Sequence, residues 1–178
     1  MCIYCGNIFK KHASVFANAS EVLKASVIGT NQELANYLST GFWNDSGEPT
    51  RKFNLSETGI FPKNGIITYN VTGNSFDEDG ISHERSLLVD EGFKLLEAIL
   101  DIDFQKTTNF NSDIRFSDAQ SGAFALSSSL SGNINYSNIN IPQSWFGSSN
   151  GFGNYTFQTI LHEIGHALGL GHQGNYNN

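Results

Sequence analysis

The sequence predicts an α+β fold: one twisted sheet with two long helices packed on it. Three observations carry this. Two stretches, Ser82 to Leu100 and the segment from Ile160 onward, repeat apolar residues at helical spacing. Several shorter stretches alternate apolar with polar residues or are dense in β-branched and aromatic side chains, as strands are. Their order is strand, helix, several strands, helix, which suits two packed layers around one core. At 178 residues one domain is the default, with enough chain to bury a core. Hydrophobic residues at 39% and aromatics at 12% mark a globular rather than a disordered chain. Gly 18 and Phe 14 against Pro 3 suit a glycine-punctuated sheet protein.

Residues 1 to about 29 are mixed and weakly periodic, although Val15, Phe16, Ala19, Val22 and Leu23 allow a short helix. We read residues 1–30 as an N-terminal extension or a propeptide remnant, and 31–178 as the domain proper. Both cysteines, Cys2 and Cys5, lie at the very start, so the chain is no disulfide scaffold. A Cys-x-x-Cys pair suits half a zinc site, a redox pair or an inhibitory metal cap, and no second pair exists to complete a four-cysteine site. A functionally silent pair is the preferred reading.

Asn31 is the expected N-cap of a helix carrying Leu34, Ala35, Tyr37 and Leu38. Trp43 reads as a core anchor. Lys52 to Leu55 alternates, as a first short strand would, and Asn64-Gly65 marks a turn into a strand over Gly65–Val71. Asp77-Glu78-Asp79-Gly80 reads as a solvated acidic turn, since calcium ligands beyond these three are not evident. Ser82 caps the long helix, without a capping box because Arg85 stands three residues on. Leu87, Leu88, Leu95, Ala98 and Ile99 give its expected apolar face, with Glu91 and Lys94 among them. His83, in the first turn, has no second ligand one turn away and reads as solvent-exposed. Strands are expected from Asp101, over Asp113–Phe116, over Ala123–Ser129 and over Asn133–Ile141. Gly147 to Gly153 is a flexible loop, not a phosphate loop, because no Gly-Lys-Ser/Thr follows it. Asn154 or Thr156 caps the last helix.

That last helix carries the chemistry: Ile160-Leu161-His162-Glu163-Ile164-Gly165-His166-Ala167-Leu168-Gly169-Leu170-Gly171-His172. Leu161, Ile164, Ala167 and Leu168 form an apolar stripe. His162 and His166 are four apart, so both imidazoles lie on one face and reach one metal ion. Glu163 is next to the first histidine, placed to reach water at that ion. On an unbroken helix His172 would point away, because six residues advance about 600°. It joins the other two only if the chain turns, and Gly169 stands where a helix-ending glycine is needed, with Gly171 loosening the corner. Three histidines with one open position describe a catalytic zinc site; a structural site is closed by a fourth protein ligand.

The motif HExxHxxGxxH, here HEIGHALGLGH followed by Gln173-Gly174-Asn175-Tyr176-Asn177, resembles the metzincin zinc metalloproteases, and its wording is similar to their serralysin branch. The likeness runs in order over residues 31–177, and only the zinc motif within it is specific. The short helix, Gly41 and Trp43 are similar to the start of serralysin catalytic domains. The resemblance implies the N-terminal subdomain of such a domain: a mostly parallel five-stranded sheet with two long helices. It implies a Zn²⁺ endopeptidase with His162, His166 and His172 on the metal and Glu163 as general base. It implies protein or peptide substrates, held in extended form along a free edge strand near Ala123–Ser129. It implies a secreted monomer, and calcium as a further ion through glycine-rich C-terminal repeats. Relatives of this kind continue into a second subdomain with a methionine turn and, in serralysins, a tyrosine ligand. Met1 is the sole methionine and Tyr176 lies too early to be that ligand, so the domain is expected to be incomplete at its C-terminus.

Composition narrows the partners. A net charge of −7 and a pI near 5.1 argue against nucleic acid or an anionic membrane surface. No apolar run approaches the ~18 residues of a membrane span. The N-terminus lacks the pattern of a secretory signal peptide, which does not exclude export by a C-terminal signal. Two rival readings stay open: a non-catalytic binding domain whose zinc staples helix to loop, and another metzincin branch such as the matrixins or astacins.

Overall fold

The computed structural model describes residues 29–145 and 155–173. Cys2, Cys5, the 15–23 segment, the glycine-rich loop at 147–153, Asn154 and residues 174–178 lie outside them.

A five-stranded sheet forms the centre, in the order β2-β1-β3-β5-β4. Its strands are β1 (Ile66–Asn70), β2 (Asp103–Lys106), β3 (Ile114–Ser117), β4 (Phe124–Leu130) and β5 (Asn133–Asn140). Pairs β1–β2, β1–β3 and β3–β5 are parallel, and only β4 runs antiparallel, against β5. The α+β architecture expected from the element order is present, and the sheet is five-stranded and mostly parallel, as the resemblance implies. The β4–β5 hairpin turns through Ser131 and Gly132, both at positive φ (49° and 78°), which suits the right-handed twist of paired strands. A Cβ at Gly132 would stand 2.4 Å from the Thr50 carbonyl oxygen, so the turn also needs the missing side chain.

The expected first strand at Lys52–Leu55 is not one. Lys52 makes an isolated parallel bridge to Asn133, and Asn54 one to Pro62. The cause is the Asn54 side chain. Its amide donates to the carbonyls of Thr58 and Ile60, and its oxygen accepts from the Ser56 N–H and hydroxyl. Such local bonds offer the backbone an alternative to a ladder.

At the N-terminal end, α1 (Asn31–Asn36) is capped by Thr30 rather than Asn31. Thr30 and Glu33 form a reciprocal capping box, which the spacing Thr-x-x-Glu encodes. Gly41 does not end the helix. The chain passes through a π-helical turn (Tyr37–Gly41) into α2 (Phe42–Asp45), and Gly41 lies under the Tyr37 ring, where a Cβ would approach to 2.6 Å. Trp43 is the buried residue of this segment.

The long helix α3 (His83–Leu100) is capped by Ser82 as expected, and His83 is exposed. Its buried face differs from expectation. Arg85, Ser86, Leu88, Val89, Gly92 and Phe93 face inward, while Leu87, Leu95 and Ile99 are exposed. Gly92 explains the choice. A Cβ there would stand 3.4 Å from Leu161 and 3.5 Å from Ile164 on the last helix, α4 (Tyr155–Ala167), so α3 turns its smallest residue toward α4. A count of large apolar residues passes over a glycine. Asp101 ends α3 in the left-handed region, which delays β2 to Asp103.

The core lies between sheet and helices. Phe93 stacks on Tyr69 at 4.2 Å and meets Phe104 and Phe116. Arg85 is buried and donates to the carbonyls of Ile141, Pro142 and Gln143, tying α3 to the chain after β5. The acidic turn is only partly solvated: Asp77 is 6% exposed and accepts from the Asp118 N–H, while Glu78 and Asp79 face water. No helix among the described residues is long and apolar enough to cross a membrane. Phe93→Ala should cost about 3–5 kcal/mol, the usual loss for a buried aromatic. Denaturant unfolding checks this, and a loss below about 1 kcal/mol would show that the ring does not hold the two layers together.

Candidate metal centre

The helix α4 lies against α3, β4 and β5. Thr156, Thr159, Ile160, Glu163, Ile164 and Ala167 form its buried stripe, spaced three and four apart. Two expectations need correction here. The stripe runs through Glu163 rather than Leu161, which is only half-buried. Thr156 lies inside the first turn with its side chain buried, so it does not cap the helix.

Helix α4 ends in a Schellman turn. The Gly169 N–H donates to the His166 carbonyl at 3.0 Å, and the Leu170 N–H reaches back to Gly165 at 3.0 Å. Gly169 has φ 107°, a conformation few side chains accept, and a Cβ there would stand 2.2 Å from the Arg51 carbonyl oxygen. The reversal brings His172 back. His162, His166 and His172 each offer a ring nitrogen, and these atoms all lie within 4.8 Å of one another. The Nε2 atoms of His162 and His166 are 3.0 Å apart. Two nitrogens on one tetrahedral zinc, each bonded at ~2.0–2.1 Å, stand roughly 3.3 Å apart, so the spacing fits such an ion.

The electrostatics suit metal ligation. His166 Nδ1 lies 2.8 Å from the Leu170 carbonyl oxygen. A carbonyl only accepts, so Nδ1 carries the proton and the Nε2 lone pair is left for a metal. Partial burial, then the neighbouring rings of His166 and His172, lower the His162 pKa to about 4. Burial, then His166, lower His172 to about 4. Burial also lowers His166, against the opposing effect of its bond to Leu170. All three rings are therefore neutral near pH 7, the form that binds a metal.

Glu163 is fully buried, at 0% exposure. It lies on the core stripe one position after His162. The strand expected to hold substrate, Ala123–Ser129, corresponds to β4, which forms one edge of the sheet beside α4.

Sequence reasoning missed the groups that hold the reversal. The Trp43 indole N–H donates to the Gly169 carbonyl at 2.8 Å, across 126 residues of chain. The Gly171 N–H donates to the Leu38 carbonyl at 2.7 Å. The Ser137 hydroxyl donates to the Ala167 carbonyl at 3.0 Å and is itself 2.8 Å from the Ser127 hydroxyl on β4. Nothing local in the sequence signals these contacts.

A mostly parallel α+β sheet bearing a three-histidine cluster on a broken helix defines a domain with a candidate metal centre. No protein-family model matches the chain. Part of it is similar to the serralysin of Proteus mirabilis, with 34% identity over 89 residues, spanning 45% of this chain and 18% of that protein. The likeness is partial and distant, and it agrees with a metzincin relationship at that coarse level.

Two outcomes follow. Gly169→Ala should weaken metal binding and lower stability, since it brings both a strained φ and a clash with Arg51; unchanged zinc affinity by competition titration would contradict the role of the turn. The metal-free chain should lose stability as pH falls from about 6.5 toward 4. The unfolded chain takes up protons at these imidazoles from about pH 6.5 downward, while the folded chain resists until about pH 4. Unfolding midpoints in EDTA at both ends of that window, compared with a His162→Gln/His172→Gln variant, check this: the variant should show the smaller drop.

Proposed function

We propose that the chain is a zinc-dependent endopeptidase domain, with residues from 31 onward forming the catalytic unit. The observation that carries this reading is the convergence of three histidine nitrogens within 4.8 Å, two on a helix and one returned by a glycine turn. The partial likeness to a serralysin supports it. His162, His166 and His172 would hold Zn²⁺. A bound zinc ion supplies Lewis acidity, which acidifies water and polarises a peptide carbonyl. Glu163, next to His162, takes the proton from the attacking water at its carboxylate and delivers it to the leaving amine. Extended peptides pair with the free edge of β4 through main-chain hydrogen bonds, which suits substrates of varied sequence. The protein acts as an exported monomer.

The complete burial of Glu163 favours a second reading, a zinc-stapled binding domain without catalysis. Hydroxamate binding to the zinc-loaded protein separates the two, since a staple has no exchangeable position. Glu163→Gln should retain zinc while cleavage of a denatured protein substrate falls by about three orders of magnitude or more, the loss seen when a catalytic group is removed. Alanine at His162, His166 or His172 should lose the metal as well. Cleavage that survives Glu163→Gln would refute the assigned base.

A further inference from the structure

We propose that Trp43 and Phe42 are positioning residues for the third metal ligand, so that the N-terminal helical segment sets how firmly His172 joins the site. The inference rests on the three-histidine metal reading and concerns what holds its weakest member.

His162 and His166 are placed by α4 itself, through helical hydrogen bonds and the buried stripe. His172 lies beyond the helix, past a reversal. The Schellman bonds end at Leu170, so they fix where the chain turns and not where it goes next. From there the guides come from the opposite end of the chain. The Trp43 indole, a donor only, binds the Gly169 carbonyl at 2.8 Å in a buried setting. The Leu38 carbonyl accepts from the Gly171 N–H at 2.7 Å. The Phe42 ring meets the His172 ring edge-on at 5.5 Å, and it fills the space where a Gly171 Cβ would stand, 2.2–2.5 Å from its atoms. Trp43 is held in turn by Phe42 at 5.1 Å and by the Arg51 guanidinium 4.4 Å over its ring. Arg51 also supplies the carbonyl against which Gly169 packs.

A π-helical turn at Tyr37–Gly41 precedes Phe42 and Trp43, and its i→i+5 closure rotates them relative to a continued α-helix. With that rotation the Leu38 carbonyl, the Phe42 ring and the Trp43 indole all meet one stretch, Gly169–His172. Such outer contacts orient a ligand, and their loss typically lowers metal affinity 10–100-fold.

Cobalt(II) titration of the chain tests this, reading both affinity and the visible absorption of the bound ion, which reports the ligand set. Trp43→Phe keeps an aromatic ring and removes the N–H. It should weaken Co²⁺ binding by about tenfold and shift the visible band in the same direction as His172→Ala. In a His172→Ala background it should have no further effect on Co²⁺, because the ligand it acts through is gone. Phe42→Ala, which removes no hydrogen bond, should follow the same pattern. Equal losses in both backgrounds, or wild-type Co²⁺ binding by Trp43→Phe and Phe42→Ala, would overturn the inference. If the unmutated chain bound Co²⁺ no better than His172→Ala, the three-histidine reading itself would fall and this inference with it.

Discussion

Everything distinctive about the site depends on one reversal of direction, at Gly169. A helix can align two ligands one turn apart but cannot present a third six residues later on the same face. Gly169 resolves this with a φ of 107° and with no side chain to strike Arg51. The cost of the left-handed conformation falls on the one residue type that tolerates it. The released carbonyls find partners: Ala167 accepts from Ser137, Gly169 from Trp43 and Leu170 from His166. The end of α4 thus leaves few polar groups unanswered, and the bond to Leu170 also selects the ligand tautomer of His166.

The sheet and α3 serve that arrangement from below. Gly92 lets α4 settle close to α3, and Phe93 packs α3 onto the aromatic side chains of the sheet. Among the described residues the antiparallel β4 is the end strand of the sheet, and α4 packs against it and β5. Ser137 and Ser127 join that edge strand to the C-terminus of α4 through adjoining hydroxyls. The candidate substrate edge and the candidate metal helix are therefore mechanically continuous.

Much of the fold was legible because it is locally encoded. The strand at Ile66–Asn70, the capped helix from His83 and the alternation over Asn133–Asn140 follow from propensity and periodicity. The errors share a cause. Asn54 curls a segment whose alternation suggested a strand, Thr30 outcompetes Asn31 through Glu33, and α3 buries a face centred on Gly92 that keeps Leu88 but leaves Leu87 and Leu95 exposed. In each, a side-chain hydrogen bond or a packing partner outweighed the local pattern. Asp77 departs from a solvated turn in the same way: it is buried and accepts from the N–H of the distant Asp118.

By itself the sequence determined which residues can meet a metal, that two of them share a helical face, and that a glycine must break the helix before the third. Those are consequences of spacing and of allowed backbone angles, which are local. Only the tertiary structure decided that Glu163 lies on the buried stripe and that Trp43, Phe42 and Leu38 receive the returning chain. Contacts between residues more than a hundred positions apart depend on how whole layers pack, and no window of sequence contains that information.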